Sequence, residues 1–414
     1  MLDRPPRERE WLSWLYVVLW AFVIFLTVPF ARDLIDFVKD TWGLEVLTYG
    51  VCVVIVLLTI AALRFAAKRP HTTHLTYVFL IGIAGLFVFL TFRLGAKNPA
   101  EALHYLEYGL LSVLIYRAFT HRIRDYSIFV AVAIVGTIVG ILDETVQWLT
   151  PRRFFTLEDI GLNLTALVLV QAALVTGMRP TLITGWPDAA SLRRVCYLGA
   201  LAIALLTLCF LNTPDRVAWY TEKIPFLGFI QDNRSAMIEH GYLHEDAEIG
   251  LFRSRLTIEE LLRSAPERTV EEARILDQYR ARKQYSEFLR IYNSVEAPLL
   301  HEARVHLFRR DIYLERGDNA ADDKTRREKY TVAYWENRIL EKYFVPLLQA
   351  SSFVWSAEIM SKIKDNADTS SSYESPVSGL LITKFSSRQL LWLSLGVLIG
   401  LIMLGRHFGK RAKS

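Results

Sequence analysis

The sequence predicts an all-α protein: a polytopic transmembrane helical bundle of about eight spans, with an extracytoplasmic helical domain inserted before the last span. Three observations predict it. Hydrophobic residues make up 52% of the 414 residues. They are unevenly placed: apolar runs crowd residues 11–212 and return at 389–405, with a charged stretch between. Lysine and arginine also collect in every second connection between those runs, as they do in multi-pass proteins. The expected domains are a bundle at 1–212, a helical domain at 213–388, and a C-terminal span with a basic tail at 389–414.

The first run follows MLDRPPRERE. Its apolar core is too long for a secretory signal and lacks a small-residue cleavage site, so it reads as an uncleaved span. The eight expected spans are 11–31, 45–66, 74–93, 102–119, 127–149, 159–178, 195–212 and 389–405, each near the ~20 residues that cross a bilayer. One set of connections holds Arg4, Arg7, Arg9, Arg64, Lys68, Arg69, Arg117, Arg122, Arg124, Arg179, Arg193, Arg194, Arg406, Lys410, Arg411 and Lys413. The other holds only Arg32, Lys39, Arg93, Lys97, Arg152 and Arg153. Both termini are therefore expected in the cytoplasm and 213–388 outside it, in a bacterial inner membrane.

The net charge of +5 is modest and resides largely at helix ends, so no nucleic-acid partner is expected. Cys52, Cys196 and Cys209 all fall within spans, which excludes a disulfide framework for the soluble region. No cofactor or metal is expected.

The chemistry-bearing stretch is LDETVQWLTPRRFFTLEDIGLN, residues 142–163. It sets Asp143, Glu144, Gln147, Arg152, Arg153, Glu158, Asp159 and Asn163 between two apolar runs. A second group, Glu101, His104, Glu107 and Tyr108, opens the preceding span. Ionisable groups at hydrocarbon depth are costly and cluster where they act. His104 with Tyr108, Asp143 with Gln147, and Asp159 with Asn163 are each four apart, so each pair shares a helix face. Three such faces turned inward would close a polar pocket opening outward. The plainer alternative is that these groups hydrogen-bond the helices together. His104 with Glu107 or Asp143 has the residue types for general acid–base work, but no nucleophile elbow, phosphate loop or metal spacing accompanies them.

EALHYLEYGLLSVL (101–114) and GILDETVQWLTPRRFFTLEDIGLN (140–163) together resemble the VanZ-like membrane family, typified by a glycopeptide-resistance accessory protein associated with teicoplanin. The resemblance covers about residues 75–178. It implies a site at Glu101, His104, Glu107, Tyr108, Asp143, Glu144, Gln147, Arg153, Asp159 and Asn163, and a context of envelope stress or antibiotic tolerance. Two departures stand out: Pro151 is followed directly by Arg152, without the family's intervening glycine, and Thr165 and Ala166 stand where glycines commonly follow the asparagine.

In the soluble region, Thr257 with Glu260 and Thr269 with Glu272 are expected to cap two helices, with Pro266 breaking the chain between them. Further helices are expected at 298–317 and 322–355, the second with Tyr330, Tyr334, Ile339, Tyr343 and Phe344 on its apolar side. Residues 365–379 read as a serine-rich connector. His301 and His306 are five apart, which on a helix separates them by about 140° and excludes a shared metal. His240 and His244, four apart, read as exposed helical histidines. RVHLFRRD and KTRREKY read as solvated faces laced with ion pairs, or as contacts for anionic head groups.

The favoured function is binding or handling an amphiphilic cell-envelope molecule, such as a lipid-linked precursor, glycan or lipophilic glycopeptide, with Arg153, Asp143, Gln147 and His104 at its polar head. The alternatives are a membrane hydrolase or transferase acting on such a lipid, and an assembly subunit recruiting envelope proteins through 220–385. The expected partners are membrane lipids, that amphiphile and those proteins. The soluble domain, tethered at both ends, is expected to cap the pocket or to dock partners.

Overall fold

The computed structural model describes residues 6–70, 72–96, 98–150, 153–232, 236–263 and 266–412. Their contacts divide the chain into two units, Met1–Cys209 with Leu391–Ser414, and Phe210–Leu390.

The first unit opens with α1 (Glu10–Trp42), α2 (Glu45–Ala67) and α3 (His74–Gly95). Their outward faces are apolar: Phe22, Phe30, Leu57, Leu58, Val78 and Phe89 are all exposed. Large apolar groups on the outside of a helix bundle are what lipid contact requires. A 3-10 turn at Pro99–Ala102, capped by Asn98, leads into α4 (Leu103–Phe119). Then come α5 (Ser127–Leu149), α6 (Leu157–Ala172) with a π-helical turn at Ala173–Met178, and α7 (Ala189–Leu211). The C-terminal helix, Ser387–Arg411, largely belongs to the same unit.

Among the described residues, seven helices are long and apolar enough to cross a membrane. This is a multi-pass membrane protein. The eighth expected span, at 102–119, corresponds to α4. It has 17 residues, about 26 Å at 1.5 Å per residue, and falls short of the ~30 Å hydrocarbon core by itself. Yet α4 is well enclosed: Tyr105, Tyr108, Leu111, Ser112, Ile115 and Tyr116 are buried, and it packs on α1, α5 and α6. The cysteines lie buried and unpaired in α2 and α7.

The second unit is mostly helical but contains a small sheet that sequence periodicity missed. After α8 (Pro214–Lys223) and α9 (Gly228–Asp232), strands β1 (Tyr242–Asp246) and β2 (Gly250–Ser254) form an antiparallel hairpin with Asp246 opposite Gly250. Helices α10 (Ile258–Leu262), α11 (Pro266–Gln278), α12 (Tyr285–Ile291), α13 (Pro298–Asp318), α14 (Asp323–Tyr343), α15 (Val345–Ala350) and α16 (Ala357–Asn366) follow. Strand β3 (Tyr373–Glu374) then pairs parallel to β2, and α17 (Ser387–Arg411) is the C-terminal helix.

Several expectations need correcting here. The stretch 365–379 is not a loose connector: it supplies β3, and Ser375 is completely buried. His240 and His244 are not helical. His244 lies in β1 and His240 in a bridge to Ile382, and four residues of strand separate side chains by roughly 13 Å. Thr257 does form a capping box with Glu260, whereas Thr269 lies inside α11, which begins at Pro266. Proline at the first helical position costs no hydrogen bond, so it starts the helix instead of breaking it.

RVHLFRRD is not a solvated face either. Arg304, His306 and Arg310 are buried. The Arg304 guanidinium lies among the rings of Tyr285, Phe288, Phe308 and Phe353, and Arg310 Nη1 donates to Asn337 and to the Phe353 carbonyl. The apolar side of α14 is as expected: Tyr330, Tyr334, Ile339, Tyr343 and Phe344 are all in the core.

Candidate functional site

The sequence-predicted polar residues converge where α4, α5 and α6 pack against one another. On α5, Asp143 and Glu144 are adjacent, so they point about 100° apart and take different partners. Tyr108 of α4 donates its hydroxyl to Asp143 Oδ2 at 3.1 Å. Glu144 accepts from Gln147 Nε2 at 2.5 Å and from the Thr156 backbone N–H at 2.9 Å. Gln147 in turn accepts from Arg153 Nη2 at 2.5 Å. Glu144, Gln147 and Arg153 thus form a relay from the end of α5 into the loop before α6. Thr156 closes it by capping α6, its hydroxyl accepting from the Asp159 N–H at 3.1 Å.

The other members surround this relay. His104 Nδ1 lies 3.7 Å from Glu107 Oε2, too far for a hydrogen bond, and its ring sits 6.3 Å from that of Tyr108. The charge of Arg153 reaches His104, Glu107, Asp143 and Glu144. That of Asp159 reaches His104, Asp143 and Glu144. Asn163 of α6 is fully buried, and a Cβ at Gly140 would meet its Nδ2 at 3.3 Å. Glycine at 140 is what lets α5 approach the asparagine so closely. Glu101 is held in the turn before α4, where Asn98 Nδ2 donates to it at 2.8 Å. Glu158 is exposed, and Pro151 and Arg152 lie outside the described residues.

The expected open recess is closed around its acids. Asp143, Glu144, Gln147 and Asn163 are buried, while the side chains of His104 and Glu107 keep 14% and 26% of their surface exposed. Four residues retain buried polar atoms that make no hydrogen bond: His104 Nδ1, Asp143 Oδ1, Arg153 Nε, and both amide atoms of Asn163. A buried polar atom left unpaired costs about 1–3 kcal/mol. A set of them on three facing helices is therefore a set of directed hydrogen-bonding groups with capacity for a further partner.

Three contributors escaped sequence reasoning. Thr156 acts through its backbone amide, though Thr-x-x-Asp at 156–159 is a visible capping signature. Trp20 of α1 donates to the Glu107 carbonyl at 2.9 Å. Gln171 Nε2 donates to Ser112 Oγ at 2.7 Å, joining α6 to α4 one layer deeper, and polar residues within apolar runs were its signal. Among the described residues, no cluster of three or more His, Cys, Asp or Glu side chains is arranged to hold a metal ion. No known protein family, curated protein or solved structure matches the chain.

Proposed function

We propose that this chain is a VanZ-like inner-membrane protein whose α4–α6 cluster binds the polar head of an amphiphilic cell-envelope molecule. The observation that carries the reading is the set of unpartnered atoms on His104, Asp143, Arg153 and Asn163 around a relay that is otherwise satisfied. Carboxylates outnumber the single described guanidinium in the cluster: Glu107, Asp143 and Glu144 feel the charge of Arg153, and Asp159 adds a fourth carboxylate acting on His104, Asp143 and Glu144. Acceptors in that excess suit a head rich in donors, such as sugar hydroxyls or an amine, better than a phosphate. A lipid-linked glycan or a lipophilic glycopeptide has that chemistry.

The topology that goes with it has α4 as an eighth crossing, completed by its 3-10 turn, with both termini cytoplasmic and 213–388 extracytoplasmic. The alternation of lysine and arginine between connections supports it. The second unit, inserted before the last span, serves in this reading to recruit envelope proteins.

Mass spectrometry of lipids that co-purify with wild type and with Arg153→Ala tests the proposal. A glycan- or amine-headed amphiphile retained by wild type and lost from the variant is the expected result. Identical lipid profiles would reject it. A catalytic reading has one favouring observation, the free Nδ1 of His104 and free Oδ1 of Asp143 on facing helices. It requires that Asp143→Asn accumulate bound substrate without turnover.

A further inference from the structure

A second feature of the first unit has the opposite charge character and takes no part in the polar cluster. A groove of about 550 Å³ lies between the start of α7 and the end of α17, walled by Ala190, Arg193, Arg194, Tyr197, Leu198 and Leu201. Small residues make it. A Cβ at Gly199 would meet Leu401 Cδ1 at 3.5 Å, one at Gly405 would meet the Tyr197 ring at 3.1 Å, and one at Gly409 would meet Arg193 Cδ at 3.3 Å. The glycines let the two helices cross closely and lay the Arg193 stem along α17. The Arg193 guanidinium stands 5.6 Å over the Tyr197 ring. Arg194 Nη1 is buried without a hydrogen-bond partner, and the acid whose charge it feels is Asp125, off the groove wall. Neither α7 nor α17 contains an aspartate or glutamate, and the last turn of α17 adds Lys410 and Arg411.

We propose that this groove binds an anionic phospholipid, with its phosphate on Arg193 and Arg194 and an acyl chain along Tyr197, Leu198 and Leu201. Guanidinium is the side chain best matched to a phosphate, through paired N–H donors. Basic recesses between membrane helices near their ends select anionic head groups. The apolar wall needs a hydrocarbon partner that a soluble anion lacks, so charge and surface together specify a lipid. The proposal does not depend on the function proposed for the α4–α6 cluster.

The test is thermal melting of the full-length protein in neutral detergent, titrated with phosphatidylglycerol, phosphatidylethanolamine or glycerol phosphate. Phosphatidylglycerol is expected to stabilise at concentrations on the order of ten-fold lower than phosphatidylethanolamine, with glycerol phosphate inert. Arg193→Gln with Arg194→Gln should remove the preference, the double lysine variant should keep part of it, and Arg153→Ala should keep all of it. Ala190→Trp fills the groove without changing charge and should also abolish the preference, which keeps the test decisive if the glutamine variant does not fold. A wild type indifferent to head group, a preference surviving in both the glutamine and tryptophan variants, or an equal response to glycerol phosphate would overturn the proposal.

Discussion

Glu144 carries more of the membrane cluster than its neighbours, since one carboxylate accepts from the Gln147 amide and from the Thr156 backbone. Glu144→Ala leaves the buried Gln147 amide and the partly buried Thr156 N–H without their acceptor and should cost about 2–3 kcal/mol, read as a lower melting temperature in detergent. In the second unit, Glu336 plays the corresponding part. It accepts from Arg309, Tyr373 and Ser375 and pairs with His306 Nδ1 at 2.6 Å. Glu336→Ala should cost about 3–5 kcal/mol, because it takes the acceptor from Arg309, Tyr373, Ser375 and the buried His306 together. Burial alone would raise the Glu336 carboxyl. His306, Tyr373 and Arg309 outweigh it and hold the group below its ordinary value. Asp246 is likewise lowered, with Lys342, Tyr343 and the Ile249 and Glu248 amides overcoming burial. A depressed carboxylate contributes stability above its unfolded pKa of about 4 and loses that contribution as pH falls toward the folded value. Unfolding of this unit followed against pH should therefore show constant stability from these groups above about pH 5 and a decline below about pH 4. At this scale the membrane cluster was legible as a gathering of polar residues, because Asp143, Glu144 and Arg153 are charges bounded by apolar runs. The Glu336 network was not: acids and arginines are ordinary in a charged stretch, and only tertiary packing distinguishes buried Arg310 from a solvated one.

Among the elements, the membrane helices were readable, the short α4 and the enclosed α5 included, and the short strands were not. The polar first turns of α4 faced inward, so its hydropathy understated how deeply it packs. β3 is two residues long within a serine-rich run, too short for alternation to register. Its place is fixed instead by Gly250, whose φ of +110° and contact with the Tyr373 backbone leave no room for a Cβ. Gly250→Ala should destabilise the sheet by about 2 kcal/mol or more, seen as faster hydrogen exchange across β1–β3. Thr257→Ala, which removes a capping box that the sequence announced, should cost only about 1 kcal/mol.

For the whole molecule, the alternation of basic connections predicts that a cysteine placed at 153 reacts with a membrane-impermeant thiol reagent from outside intact cells, while one placed at 411 does not. The reverse pattern would invert the topology. What composition and hydropathy conveyed was the division between bilayer and water. What they did not convey was that Asp143 and Glu144 would be shut in while His104 and Glu107 stay partly open. In the proposed reading, that difference is what sets the cluster apart from groups that only join helices. His104 makes no hydrogen bond through Nδ1, so helix adhesion gains little from it, whereas a polar head lying against the cluster would use it. The decisive measurement is native mass spectrometry of His104→Ala beside its melting temperature. Binding predicts a melting temperature unchanged once ligand is removed from both proteins, together with loss of the bound amphiphile. A fall in melting temperature with the same bound species retained would contradict it.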